Sequence, residues 1–223
     1  MSGSRDGADE ESLRATGRAQ QLIEAAAIKG VLECAPAFDS LGIFFDPQQL
    51  AEAAPAGEEP FTWIQTRIRH LLSDSKDQAE NTTPPVLHEL PVCYEARFAP
   101  DLEAVAQHTG LSTAEVIARH CGAEYRVRCV GFLPGFPYLA GLPRALGTPR
   151  RATPRTEVAA GAVGIGGPLT GVYPTKSPGG WNLIGRTPVP MFDPTANPPA
   201  RLRTGARVRF VAITSAEYER FSA

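Results

Sequence analysis

Seventeen of the chain's 21 prolines fall between Pro84 and Pro199, interleaved with most of its 21 glycines. A proline lacks the backbone donor and breaks a helix interior, so this part of the chain must turn often and cannot sustain long helices. From Pro134 to Thr214 the short runs GAVGIGG, TGVYP, WNLIGRTPVPMF and ARVRFVAIT alternate with Gly/Pro turns, the pattern of a closed or sandwiched β-structure. Just upstream, VLHELPVCYE and EYRVRCVGFL read as strands. Between them lie two short helices, DLEAVAQHTG and STAEVIARHCG, joined at Gly110, with Ser112 as N-cap and Glu115 at the capping-box position.

The first third has a different texture. Residues 1–10 (MSGSRDGADE) offer nothing apolar to bury and read as a disordered tail. The run ESLRATGRAQQLIEAAAIK predicts an amphipathic helix with Gly30 behind it, and VLECAP and SLGIFFDP predict an antiparallel strand pair. FTWIQTRIRHLL then places Phe61, Ile64, Ile68, Leu71 and Leu72 on one helical face. The polar segment DSKDQAENTTPP marks a boundary near residue 82. The expected architecture is therefore a small α+β domain over residues 11–82 followed by a mostly-β domain over 83–223.

Charge narrows the function classes. With 22 Lys+Arg against 24 Asp+Glu, the formal charge of −2 leaves no basic excess for phosphate backbones or anionic lipid. No stretch approaches the roughly 18–20 apolar residues of a spanning helix, and the first residues are polar and acidic where a signal peptide would be basic and then apolar. A cytoplasmic location is expected, with no nucleic-acid or membrane partner. Cys34, Cys93, Cys121 and Cys129 form no C-x-x-C pair and read as free thiols.

The chemistry-bearing motifs are mostly negative. GIGGPLTGVYPTKS ends in Lys176-Ser177, but a P-loop needs Gly before the Lys and this chain has Thr175, while Pro168 and Pro174 remove two donors from any phosphate cradle. His70, His88, His108 and His120 match no zinc spacing, so no metal site is expected. No G-x-S-x-G elbow occurs, and Glu157 is the only carboxylate between Gly131 and Pro190. That stretch carries Arg144, Arg150, Arg151, Arg155, Lys176 and Arg186 with Tyr138, Tyr173, Trp181 and Asn182. Such a set suits carboxylate or phosphoryl oxygens beside a ring-shaped group, and it equally suits a solvated loop rim or a partner interface.

The order of residues is more specific than their composition. GFLPGFPYLAGLP (131–143), TPRRATPRTEVAAGAVGIGGPLTGVYPTKSPGGWNLIGRTP (148–188), MFDP (191–194) and GARVRFVAI (205–213) resemble the family of the 5-oxoprolinase B subunit, also called allophanate hydrolase subunit 1 or KipI. The resemblance runs from about Gly30 to Phe221. It implies an α+β domain followed by a cyclophilin-like β-barrel of the carboxyltransferase-domain type. It also implies work with the C and A partner subunits in opening 5-oxoproline to L-glutamate, with ATP as co-substrate and with no activity from this chain alone. Two other roles come with the family: a KipI-like inhibitor of a histidine kinase, and half of the biotin-dependent carboxyltransferase of a urea carboxylase. Matched positions give His120, Tyr138, Lys176 and Arg186 as catalytic candidates, and Arg155, Ser177, Trp181 and Asn182 as substrate-binding ones. Lys176 or Arg186 would clamp an anion, Tyr138 or His120 would transfer a proton or hydrogen-bond, and Trp181 would serve as a ring platform. The chain lacks the family's usual first strand with a G-D-x-A-like turn. It also lacks the F-H-R and Q-G-G-D patterns of true cyclophilins, so prolyl isomerase activity is not expected.

Overall fold

The computed structural model of this chain describes residues 3–74 and 86–221, with side chains described from Glu11 to Ser73 and from Val86 to Phe221. The boundary expected near residue 82 lies outside those residues. The chain divides into two units, residues 1–84 and 85–223.

In the first unit, α1 (Gly3–Ala25) is followed by β1 (Val31–Ala37), β2 (Ser40–Phe45), α2 (Pro47–Ala53) and α3 (Pro60–Asp74). β1 and β2 pair antiparallel from Val31↔Phe45 to Ala37↔Ser40. Ile28, Leu50 and Ile64 make a small core, with Trp63, Ile68 and Leu71 against it. Two features differ from the sequence reading. The first helix begins at Gly3, inside the segment 1–10 read as a disordered tail. No proline interrupts it, and extending a nucleated helix is cheap. The second difference is α2, a helix absent from the sequence reading that Pro47 opens just after β2 ends. Asp46 caps it by accepting from the Gln48 and Gln49 N–H groups, and proline at the first helical position has no donor to waste.

The second unit begins with β3 (Leu87–Cys93), α4 (Leu102–Thr109), α5 (Thr113–Gly122), β4 (Tyr125–Val130) and β5 (Pro137–Ala140). After a single 3-10 turn (Arg144–Leu146) come β6 (Arg155–Val158), β7 (Ala162–Gly166), β8 (Leu169–Val172), β9 (Ser177–Gly179), β10 (Asn182–Arg186), β11 (Arg207–Ile213) and α6 (Ser215–Phe221). Seven of these strands close into a barrel in the order β3, β10, β7, β8, β5, β4, β11, with β11 returning to β3. The β11–β3 pairing is parallel, from Arg207↔Leu87 to Ile213↔Cys93, and the others are antiparallel. β6 and β9 form a separate two-stranded sheet.

Side-chain alternation along the strands creates two clusters. Leu139, Val163, Ile165, Val172, Ile184, Val208 and Phe210 join Val105 of α4 and Val116 of α5 in the main core. Phe136, Val158, Ala162, Tyr173, Trp181 and Leu183 form a second cluster. Among the described residues no helix is long and apolar enough to cross a membrane.

The α4–α5 junction shows how local sequence fixes the fold near the candidate site. Gly110 takes the left-handed conformation (φ 68°) that ends α4 and returns its N–H to the Ala106 and Gln107 carbonyls. Ser112 then starts α5 with a complete capping box, its hydroxyl accepting from the Glu115 N–H while the Glu115 carboxylate accepts from the Ser112 N–H at 2.8 Å. Ser112→Ala is expected to destabilise the unit by about 1 kcal/mol in a urea titration at pH 7. A change below about 0.3 kcal/mol would mean that packing alone sets the start of α5.

Candidate active site

The second cluster is built on a floor without side chains. β7 and β8 place Gly164, Gly166 and Gly171 on the barrel's outer face, and Trp181 lies directly on them. A β-carbon added at Gly166 would meet the indole at 2.5–2.7 Å, and one at Gly164 or Gly171 would meet Trp181 at 3.1 Å. Only glycine lets the ring approach the backbone this closely. Phe136 and Tyr138 stand edge-on to the indole, with centroids at 5.5 and 5.8 Å, and Tyr173 is edge-on to Phe136 at 5.1 Å. Trp181 and Tyr173 are buried, whereas Tyr138 is half-buried. Burial raises the phenol pKa of both tyrosines, and the nearby positive charge of Arg150 pulls each back down.

Backbone pins fix what lies over the indole. The Asn182 side-chain amide donates to the carbonyls of Pro149 (2.8 Å) and Ile165 (3.3 Å), and the Arg151 N–H donates to the Gly180 carbonyl at 2.8 Å. The segment on either side of Arg150 is thereby stitched to the segment on either side of Trp181. The Arg150 guanidinium carbon sits 5.9 Å from the indole centroid. Asn182 thus acts as a brace.

Arg155 and Arg151 converge on Asp101, a carboxylate contributed from before α4. Arg155 grips it with two N–H groups, both at 2.8 Å, Arg151 donates at 2.9 Å, and the Leu183 N–H donates at 2.7 Å. Asp101 is almost fully buried, and its own N–H donates to the Leu183 carbonyl. It precedes α4 but makes no side-chain cap, because its oxygens are committed to the arginines. Arg155, expected to bind substrate, is therefore a brace on β6 and β10.

His120 lies elsewhere, wholly buried among the residues of the main core. The Thr170 hydroxyl donates to the Gly164 carbonyl at 3.0 Å, so its oxygen must accept from His120 Nε2 at 3.1 Å. The ring is then the Nε2–H tautomer, and Nδ1 accepts from the Tyr94 hydroxyl at 2.8 Å. Cys121 Sγ donates to the Tyr94 oxygen at 3.5 Å, and the Tyr125 hydroxyl donates to the His120 carbonyl at 2.8 Å. The imidazole stacks on Phe210 at 4.4 Å. Burial drives its pKa from 6.5 to about 3, so it is neutral at physiological pH. Thr170 faces the core, and the next residue, Gly171, faces Trp181. His120 thus supports the floor of the aromatic platform from beneath.

Three candidates remain. Lys176 is exposed and paired with Glu157 at 2.6 Å. Arg186 donates through Nε to the Ala160 carbonyl at 2.7 Å. Ser177, paired across β6–β9 with Val158, is buried, and its hydroxyl has no hydrogen-bond partner among the described residues. The structure therefore brings Tyr138, Trp181, Asn182 and Arg155 into one assembly and keeps His120 apart from it. Sequence reasoning missed Asp101, Phe136 and Thr170. It included Arg150 only within a cationic set. Among the described residues no three His, Cys, Asp or Glu side chains gather as a metal site would require, and the four cysteines are unpaired.

The family model of the carboxyltransferase domain, subdomain C and D, matches residues 3–202 of this chain. The chain is 42% identical over 204 residues, 91% of its length and 84% of the relative's, to the 5-oxoprolinase B subunit of Bacillus subtilis (strain 168). It therefore belongs to the family of 5-oxoprolinase B subunits. It is also 56% identical over 123 residues to the 5-oxoprolinase B subunit of Escherichia coli O157:H7, a match covering 55% of this chain and 56% of that protein. The solved structure of TTHA0988 superposes with a TM-score of 0.77 at 36% identity over 92% of this chain, which spans only 38% of that longer one.

Proposed function

We propose that this chain is one component of a cytoplasmic, ATP-dependent 5-oxoprolinase that opens 5-oxoproline to L-glutamate together with homologues of that enzyme's A and C subunits, and that it is inactive alone. The observation that carries this reading is the 42% identity running through nearly the whole chain and most of the Bacillus relative. The site's chemistry supports it. A lactam is a poor electrophile, and opening it requires activation at the amide oxygen, a ring held in place and polar groups aimed at developing charge. Tyr138, half-buried beside Trp181, supplies a hydroxyl at a flat wall, and Arg155 and Asn182 keep that wall rigid. Lys176 and Arg186 are further candidate cations, and Ser177 is a candidate substrate-binding hydroxyl.

Among the described residues, the glycine-rich segment that ends in Lys176-Ser177 does not fit a triphosphate cradle. Gly166 and Gly167 close the β7–β8 hairpin, Pro168 has no N–H to offer, and the Lys176 amine is engaged by Glu157. ATP is the co-substrate of the proposed complex, and no step in this chain is drawn through it.

The test is glutamate release from 5-oxoproline and ATP by this chain co-purified with its cognate partners. Turnover is expected with all three chains and lost when this one is left out. Lys176→Ala and Arg186→Ala, assayed alongside, tell whether either cation meets developing charge. A drop of about tenfold in kcat/KM corresponds to about 1.4 kcal/mol of transition-state stabilisation. A well-formed complex with no turnover would overturn the reading in favour of the kinase-inhibitor or urea-carboxylase roles.

A further inference from the structure

Three arginines, Arg150, Arg151 and Arg155, gather beside the aromatic platform, and Asp101 is the one carboxylate that meets them among the described residues. Glu157 and Lys176 neutralise each other. The group is thus left with two uncompensated positive charges. Arg151 and Arg155 are held by Asp101, whereas Arg150 has no carboxylate or carbonyl partner among the described residues. Its one fixed contact there is the indole face beneath it. The cation–π contact at 5.9 Å and the backbone pins at Pro149 and Arg151 keep this exposed guanidinium beside a rigid surface with its N–H fork open to a planar oxyanion.

We propose that Arg150 binds the carboxylate of the cyclic substrate, with the Tyr138 hydroxyl at its side. The inference rests on the 5-oxoprolinase reading and makes it more specific. It singles out one arginine from the cationic set of residues 144–186, and it moves the role away from Lys176, which is paired with Glu157, and from Arg186, whose Nε is held by the Ala160 carbonyl. The physical reason is selectivity among cations. An exposed pair such as Lys176–Glu157 gives up a partner on binding, whereas Arg150 loses only water. The excess of arginine charge over Asp101 adds attraction at longer range. Arg150 also touches the phenol chemistry of the site, since its charge lowers the pKa of both Tyr138 and Tyr173 against the effect of burial.

The deciding experiment uses the assembled complex with 5-oxoproline as substrate and 2-pyrrolidone, the same ring without its carboxylate, as competitive inhibitor. Arg150→Ala is expected to raise KM for 5-oxoproline at least about tenfold with kcat within about twofold, because binding common to ground and transition states is lost. The Ki of 2-pyrrolidone is expected to stay unchanged, and Arg150→Lys is expected to recover part of the loss. An unchanged KM in Arg150→Ala would overturn the proposal, as would a parallel rise in the 2-pyrrolidone Ki, which would indicate damage to the ring wall. Should the wild-type complex fail to turn over 5-oxoproline, equilibrium dialysis of the chain against labelled 5-oxoproline decides separately. Retention that disappears in Arg150→Ala upholds a carboxylate site in the absence of that activity. Equal retention by both proteins, or none by either, overturns it.

Discussion

Asp101→Ala is expected to cost about 3–5 kcal/mol of folding stability, read as a shift in the urea midpoint of the second unit at pH 7. The size follows from what is left behind. Two guanidinium groups and the Leu183 N–H lose their common acceptor, and the buried N–H has no water to replace it. Arg151 and Arg155 keep 37% and 24% of their side-chain surface, so solvent recovers part of the loss and places the value toward the lower end of the range. Asp101→Asn separates charge from hydrogen bonding. It retains an acceptor for Leu183 but not the bidentate grip on Arg155, and it is expected to lose about half as much. A cost below about 1 kcal/mol for Asp101→Ala would show that the arginines find other partners. Because Asp101 ties the start of α4 to β10 through both its backbone and its carboxylate, the variant is also expected to shift Trp181 fluorescence, recorded in a Trp63→Phe background.

What the sequence made legible was local. The left-handed Gly110 and the Ser112–Glu115 box lie within five residues of the elements they punctuate, so spacing alone reveals them. The same kind of signal was present for two helices that went unread. Asp46-Pro47 is a cap followed by proline at the first helical position. Thr214 and Glu217 form a reciprocal pair at the start of α6, with N–H groups accepted at 2.8 and 3.3 Å. The turn-rich half indicated a closed β-structure because prolines and glycines mark strand ends. It could not indicate that the barrel closes by a parallel β11–β3 pairing, since strands about 120 residues apart leave no spacing to read. The site was legible in its residue types and illegible in its pairings. Arg155 looked like a free cation because the sequence around it is poor in acid. Its carboxylate comes from 54 residues upstream. His120 looked chemical, yet it stands four residues after the buried Val116, on the inward face of α5, and that spacing already pointed to the core.

Between pH 7 and pH 5 the wild-type chain is expected to lose about 2 kcal/mol more stability than His120→Gln, a substitution that keeps one donor and one acceptor but does not titrate. The sign follows from the direction of the shift. His120 has a folded pKa of about 3 against 6.5 for the free side chain. Below pH 6.5 the unfolded chain therefore takes up a proton that the folded chain refuses. The contribution of the neutral ring is complete above pH 6.5 and declines toward pH 3 by about 1.4 kcal/mol for each pH unit. Carboxylates that titrate in the same range do so in both proteins, and the comparison removes them. Urea titrations at the two pH values measure the difference, and parallel losses in wild type and variant would overturn the assignment. Nitrogen NMR of the imidazole gives a second reading that does not depend on the variant's folding, with His120 expected to remain the neutral Nε2–H tautomer down to pH 5. That tautomer is the one the Thr170–Gly164 hydrogen bond demands, and through it the main core holds the floor on which Trp181 lies. Protonation of this ring would place a charge beneath the platform. The buried histidine therefore sets an acid limit on the same surface that Arg150 and Tyr138 present to solvent.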